Sequence, residues 1–457
     1  MKIFLYAISI CFSTIVYAQE FRIHKGQVID FVAMVNDSLK ESYSIYLPKS
    51  FDEQKKWPVI YVFDPEKDGK KGVSAFSEGA EKFGYIVVGS NNIDDGSPQL
   101  NFRAFQRLSK EISTLFPIDE SGVYVAGFSG AARLASSIAI LSSKIKGVIA
   151  CNAGFSSAYQ PRKNTFSFVG IVGDTDFNFV ELQNTVAFLK RRKFEAELFV
   201  FEGEHEWPPK FYLTKAIGSL ELKRMTKGEK EKDETFAKTL YEEDYRNVQS
   251  LISKQQPTRA IEELDRMRTS YRFYFEVDSL KNKERSIRRT PILRKKISSE
   301  RQALAEERLR RLDYIDIFSE DIDTIFMDNL GWWESEIKIL DELIKGENKE
   351  KQKMGKRLKD LLYQLGTETA EGLDAGKYKE KVLYLQIFRT LADPKAYDAY
   401  LKIMVLSSRD QNFDMALYYT EELLKNGFKD KDKLYEEQGM SLLRIQPEFI
   451  ELIRKYL

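Results

Sequence analysis

The first 222 residues alternate between two textures, and that alternation limits the possible folds more than any other feature of the chain. Short apolar runs rich in β-branched and aromatic residues fall at 28–35, 43–47, 59–63, 85–89, 122–127, 147–151, 166–172 and 195–202. Patterns with helical spacing separate the later runs, at 102–115, 131–141, 180–191 and 209–222. Runs of this kind, bounded by turn residues, read as strands. Strands that alternate with helices predict a largely parallel sheet, because each crossover helix covers a sheet face and returns the chain in the same direction. No helical pattern separates the first two runs, so that edge of the sheet is predicted to be antiparallel.

The second half has a different composition. Of 25 glycines, 16 precede residue 223, as do eight of the 12 prolines. Glu/Lys/Arg-rich segments with helical spacing follow, including 234–254, 258–274, 293–318, 333–345, 378–390, 395–408, 415–425 and 448–456. Pro257 and Pro394 are placed where helices start, which suits their fixed φ. The stretch Asn412-Phe413-Asp414-Met415-Ala416-Leu417 followed by Leu423-Leu424 resembles the second helix of a tetratricopeptide repeat. Its partner helix carries Ser407 where an aromatic is usual, and no regular repeat period runs through the rest. The expected organisation is a signal peptide at 1–18, an α/β domain at 19–222, a charged linker at 223–233 and an all-α, helical-hairpin domain at 234–457.

Lys2, the apolar run from Ile3 to Val16 and the small-residue site Val16-Tyr17-Ala18 before Gln19 are the marks of a cleaved export signal. The run is shorter than the roughly 20 residues of a spanning helix. The expectation is therefore an exported protein, periplasmic or secreted, with no membrane span in the mature chain. Cys11 lies within the signal and follows Ile10, which is not the small residue a lipoprotein site needs. Cys151 alone remains after cleavage, so no intramolecular disulfide can form, and it is expected to be a small core residue. With two histidines and two cysteines in 457 residues, metal frameworks have little to build on, and no metal or cofactor is expected. Lys and Arg number 71 against 70 Asp and Glu, a balance that argues against nucleic-acid binding.

One constellation carries chemistry. In Gly127-Phe128-Ser129-Gly130-Ala131 a strand runs into a tight turn and then a helix of small residues, the context of a nucleophile elbow. Ser129 would sit at the helix N-terminus, where the N–H of Gly130 can face an oxyanion. Behind a later strand, Gly173-Asp174-Thr175-Asp176-Phe177-Asn178 offers an acid, with Asp176 preferred over Asp174. After the last strand, Gly203-Glu204-His205-Glu206-Trp207 brings the only histidine beyond position 24. The order Ser129, Asp176, His205 is that of the hydrolase arrangement and of neither protease arrangement. A second oxyanion donor is expected from Phe63-Asp64-Pro65-Glu66. Pro65 has no N–H, so Asp64 or Glu66 must serve, with Glu66 favoured. Ser90-Asn91-Asn92 and Trp207 are substrate-rim candidates, with turn and core packing as the plainer role.

The first half resembles the α/β-hydrolase superfamily, and within it the bacterial esterase group related to feruloyl esterases and dienelactone hydrolases. The resemblance spans about residues 43–222. It is carried by Tyr43-Ser44-Ile45-Tyr46-Leu47-Pro48, Pro58-Val59-Ile60-Tyr61-Val62-Phe63-Asp64-Pro65, Gly89-Ser90-Asn91-Asn92, the Ser129 elbow, Gly173-x-x-Asp176-Phe177-Asn178 and His205-Glu206-Trp207-Pro208-Pro209. It implies a serine esterase with Ser129, Asp176 and His205 as the triad and names no substrate; the expected partner is a small ester or an ester-decorated polymer. Ala131 stands where the motif usually has glycine, and no His-Gly dipeptide follows the third strand. Few residues separate Cys151 from the next strand, so no large lid fits there, and the pocket is expected to be open unless the helical half covers it. The competing reading is a non-catalytic scaffold that binds a protein partner through its helices. Trp332-Trp333 and the basic run 285–296 are read as helix packing and a solvated face.

Overall fold

The computed structural model describes residues 24–35, 39–94, 96–156 and 160–457. The expected signal peptide lies outside these residues. Among the described residues there are eight strands: β1 (Val28–Ala33), β2 (Ser42–Tyr46), β3 (Trp57–Phe63), β4 (Ile86–Ser90), β5 (Ile118–Phe128), β6 (Gly147–Cys151), β7 (Ser167–Gly173) and β8 (Ala196–Phe201). They form one sheet in the order β1-β2-β4-β3-β5-β6-β7-β8. β1 and β2 pair antiparallel, as do β2 and β4, and every later pairing is parallel. This is the α/β-hydrolase architecture, with the antiparallel leading edge that the sequence predicts.

Five helices cover the sheet: α1 (Gly69–Phe83), α2 (Pro98–Leu115), α3 (Gly130–Leu141), α4 (Phe179–Arg191) and α5 (Lys210–Thr226). Side chains alternate across each strand. Val59, Tyr61 and Phe63 pack with Phe105 of α2, Ala135 of α3 and Leu182 of α4 on one face. Ile60 and Val62 pack with Phe76 of α1 and Ile217 of α5 on the other.

Helix α1 has no counterpart in the sequence reading. Its glycines weaken the helical signal, yet packing requires them: a Cβ on Gly69 would lie 2.6 Å from the Gly89 carbonyl oxygen, and one on Gly89 would lie 2.3 Å from that of Gly69. Helix α1 therefore lies directly on β4. Helix α5 runs four residues into the stretch read as a solvated linker. Arg224 there is 5% exposed and ion-paired to Glu221 and Asp119.

The second half is helical throughout its described length, apart from short turns. Its helices are α6 (Glu234–Ser253), α7 (Pro257–Tyr271), α8 (Asp278–Arg289), α9 (Pro291–Thr324), α10 (Leu330–Lys345), α11 (Lys349–Glu371), α12 (Lys379–Ala392), α13 (Tyr397–Arg409), α14 (Phe413–Lys425), α15 (Lys431–Glu436), α16 (Ser441–Arg444) and α17 (Pro447–Tyr456). Pro257 opens α7 as expected. Pro394 sits instead in the turn ahead of α13. Trp333 is fully buried and donates its indole N–H to Asp321 Oδ2 at 2.6 Å, as core packing demands of a buried indole. Cys151 is likewise fully buried. Among the described residues, no helix is long and apolar enough to cross a membrane.

Candidate active site

Three strand ends converge on one point of the sheet's C-terminal edge. Beyond β5, Ser129 adopts φ 52° and ψ −127°, a strained conformation for a residue with a side chain. The strain makes the turn sharp enough to expose Oγ. The turn also explains which small residues are needed. A Cβ on Gly127 would come within 2.3 Å of the Ala131 carbonyl oxygen, so position 127 has no room for a side chain. Ala131 itself is fully buried and its methyl group is accommodated, so the departure from glycine there does not disturb the elbow.

His205, in the loop after β8, lies with Nε2 2.9 Å from Ser129 Oγ and Nδ1 2.8 Å from Asp176 Oδ2. Its ring is held between Phe177 and Phe128, with centroids 4.5 and 5.0 Å away. Asp176 is fully buried, and its Oδ1 accepts the Asn178 N–H at 2.6 Å. Burial pushes the Asp176 carboxyl above its ordinary pKa, against the opposing pull of hydrogen bonds from His205 and Asn178. Gly130 is the first residue of α3, so its N–H has no partner within the helix.

The other acid of the loop is used differently. Burial alone would raise the Asp174 carboxyl, but Arg259 at 2.7 Å and Lys353 at 2.9 Å outweigh it and hold it below the usual range. Asp174 thus faces the helical half, and Asp176 faces His205.

Two sequence candidates are engaged elsewhere. The N–H of Glu66 donates to Asp64 Oδ1 at 2.9 Å, closing a turn across Pro65. With that donor occupied, the loop after β3 has the Asp64 N–H as the remaining choice of the two. Asn91 stitches β4 to its neighbours: Oδ1 accepts from the Gly69 N–H at 3.1 Å, and Nδ2 donates to Ser42 Oγ at 3.1 Å. It holds the entry of α1, a structural task that leaves its amide committed. Trp207 braces the site, donating to Asp64 Oδ2 at 2.8 Å and stacking on Phe128 at 5.3 Å.

Asn152 is the supporting residue that sequence reasoning missed. It is fully buried at φ 59°, donates Nδ2 to the Glu206 carbonyl at 2.7 Å and accepts from Asn178 Nδ2 at its own carbonyl. It therefore ties the histidine loop to the acid loop. The available signal was an Asn directly after a strand, a residue type that tolerates positive φ.

Helix α11 passes over the same edge. Lys356 pairs with Glu204, the neighbour of His205. One turn on, burial pushes the Asp360 carboxyl up to about 6, with Glu204 and Asp176 adding to the rise and Lys356 opposing it. Helix α11 thus stands where an open pocket was expected unless the helical half intervened.

No family model matches the chain, and no curated protein does. Solved structures match the first half. FphF, a fluorophosphonate-binding serine hydrolase of Staphylococcus aureus, is 12% identical, with a TM-score of 0.36 over 42% of this chain and 98% of its own. Est1E from Butyrivibrio proteoclasticus is 14% identical, with a TM-score of 0.34 over 43% of this chain and 100% of its own. The feruloyl esterase module from Clostridium thermocellum is 12% identical, with a TM-score of 0.35 over 42% and 86%.

Proposed function

We propose that the protein is an exported serine hydrolase that cleaves carboxylic esters through an acyl-enzyme. The observation that carries this reading is the continuous hydrogen-bonded line from Ser129 Oγ through His205 to the buried Asp176 carboxylate. His205 takes the Ser129 proton as Oγ attacks the acyl carbonyl, then returns it to the leaving alcohol. Asp176 fixes the imidazole tautomer and stabilises its cation. The Gly130 N–H and the Asp64 N–H face the developing oxyanion, and loss of one such donor costs about 10²–10³ in rate. Water then repeats the sequence on the acyl-enzyme. Export rests on the signal-like N-terminus alone.

The test is labelling by a fluorophosphonate probe together with hydrolysis of p-nitrophenyl acetate and butyrate, by the wild type and by Ser129→Ala. Both activities should be present in the wild type and absent from the variant. A wild type that neither labels nor hydrolyses, or a variant that equals it, overturns the reading and leaves the scaffold alternative.

A further inference from the structure

The helical half reaches the site through its charges. Arg357 of α11 is 3% exposed and Glu307 of α9 is fully buried. The Arg357 Nε–H donates to both Glu307 carboxylate oxygens, at 2.9 and 3.1 Å. The same guanidinium donates Nη1–H to the Asp174 carbonyl oxygen at 2.5 Å and lies 4.7 Å from the ring centroid of Phe179. Asp174 precedes Asp176 on its own loop, and Phe179 opens α4 three residues after Asp176. The side chain of Asp174 is meanwhile held by Lys353, one turn earlier on α11, and by Arg259 of α7.

A buried ion pair of this kind adds little net stability compared with an apolar pair of similar size. What it supplies is geometry, since the planar fork fixes two partners at once. Here one partner is the helical half and the other is the backbone carrying the triad acid.

We propose that Arg357 is a positioning residue for the reaction. It holds the Asp174–Phe179 loop so that Asp176 meets His205, which makes the helical half a working part of the hydrolase. The inference rests on the serine-hydrolase reading for its rate predictions, but it has a readout that does not.

The experiment uses the full chain. The double substitution Arg357→Met with Glu307→Met replaces the ion pair by an apolar pair, so packing is kept while the donor to Asp174 is lost. Arg357→Lys keeps the charge but cannot serve both partners. Three quantities are read: the second-order rate of fluorophosphonate labelling, kcat and KM for p-nitrophenyl acetate, and the low-field proton resonance of the His205 Nδ1–H···Asp176 bond, assignable because the chain has only two histidines. The double variant should label about 10- to 100-fold more slowly, the scale of a misplaced catalytic group. KM should change little, and the resonance should shift or broaden away. Arg357→Lys should fall between it and the wild type. Trp333→Phe, which weakens the helical half away from the loops, should lower the melting temperature and leave all three readings unchanged.

A double variant that labels at the wild-type rate with an unshifted resonance overturns the proposal. If the double variant does not fold, the same comparison is made on Arg357→Lys, whose identity with the wild type would also overturn it. A wild type that does not label sinks the esterase reading instead, and the resonance alone then decides the positioning role.

Discussion

Replacing Asp176 by asparagine keeps the shape of the acid and changes only its hydrogen-bonding roles, so its effect can be worked from the structure. Asp176 has no solvent contact. One of its oxygens accepts the Asn178 N–H at 2.6 Å, and the other faces His205 Nδ1 at 2.8 Å. An amide has a single acceptor end. The Asn178 N–H is a fixed donor, so the amide oxygen must face it and the amide NH₂ must face Nδ1. Nδ1 then becomes an acceptor, the imidazole proton moves to Nε2, and it points at Ser129 Oγ, which loses its base. The flipped amide would leave the Asn178 N–H buried without an acceptor, at about 1–3 kcal/mol, or roughly 5- to 150-fold in population. Loss of the charge that stabilises the imidazolium adds to this. The expected fall in kcat is about 10³–10⁴, as for the equivalent change in a serine protease triad. Initial rates of p-nitrophenyl acetate hydrolysis from neutral to mildly alkaline pH measure it, with KM expected to be unchanged. A variant whose kcat stays within about tenfold of the wild type would refute the tautomer argument.

Other predictions concern the scaffold. Gly89→Ala should cost about 1–3 kcal/mol or more in chemical denaturation, because its methyl group meets backbone of α1 that cannot turn aside. Asn152→Gly keeps the positive φ free of strain and removes only the side chain. It should lower kcat about tenfold through a looser histidine loop, and it should lower the melting temperature as well, since the Nδ2 bond to the Glu206 carbonyl is lost and a buried side chain leaves a cavity. Asp360→Asn should raise the melting temperature at pH 8 and not at pH 4. With the folded carboxyl pushed up to about 6, the native state holds the proton more tightly, so stability falls as pH rises from about 4 to 6, and the amide escapes that loss.

The meeting of Ser129, Asp176 and His205 was legible because each follows a strand in a fixed order, and because His205 had no rival. The inner strands were legible because burial on both faces demands continuous apolar runs. Helix α1 was not, because its close approach to β4 requires the glycines that hide a helical pattern. The Glu66 N–H was not, because a carboxylate two residues back competes for it. Asn91 and Trp207 were read as rim candidates because their positions at strand ends are right. Their bonds to Ser42, Gly69 and Asp64 are tertiary facts that spacing does not encode. The grip of Arg357 on the acid loop joins residues 183 apart and has no local signature.

A second seam joins the halves on the side away from that loop, and it too is built on buried charge. Glu197 of β8 lies 3.2 Å from Lys223 and 3.9 Å from Arg266 of α7, and Ser219 donates to it at 2.6 Å. Arg266 also binds Asp244 of α6 and Glu263 of its own helix. Burial alone would raise Glu197, yet the two cations outweigh it and hold its pKa at about 2. The sign follows: the stabilisation is complete above the unfolded value of 4.5 and is lost as pH falls from there towards 2, at about 3 kcal/mol for this one carboxylate. Removing Arg266 would leave Glu197 with Lys223 and Asp244 with Lys215, pairs weakened rather than stripped, so the cost should fall below the roughly 3–5 kcal/mol of a buried charge left alone. Because Lys215 of α5 pairs with Asp244 and Glu263 while Arg266 reaches Glu197, the two halves share these charges, and calorimetry at neutral pH should give one transition. Acid should split that transition before it abolishes it, and Arg266→Met should split it without acid. Two separate transitions in the wild type at neutral pH would mean that the seam does not couple the halves. An Arg266→Met variant with a single, unshifted transition would mean that its charges are met elsewhere.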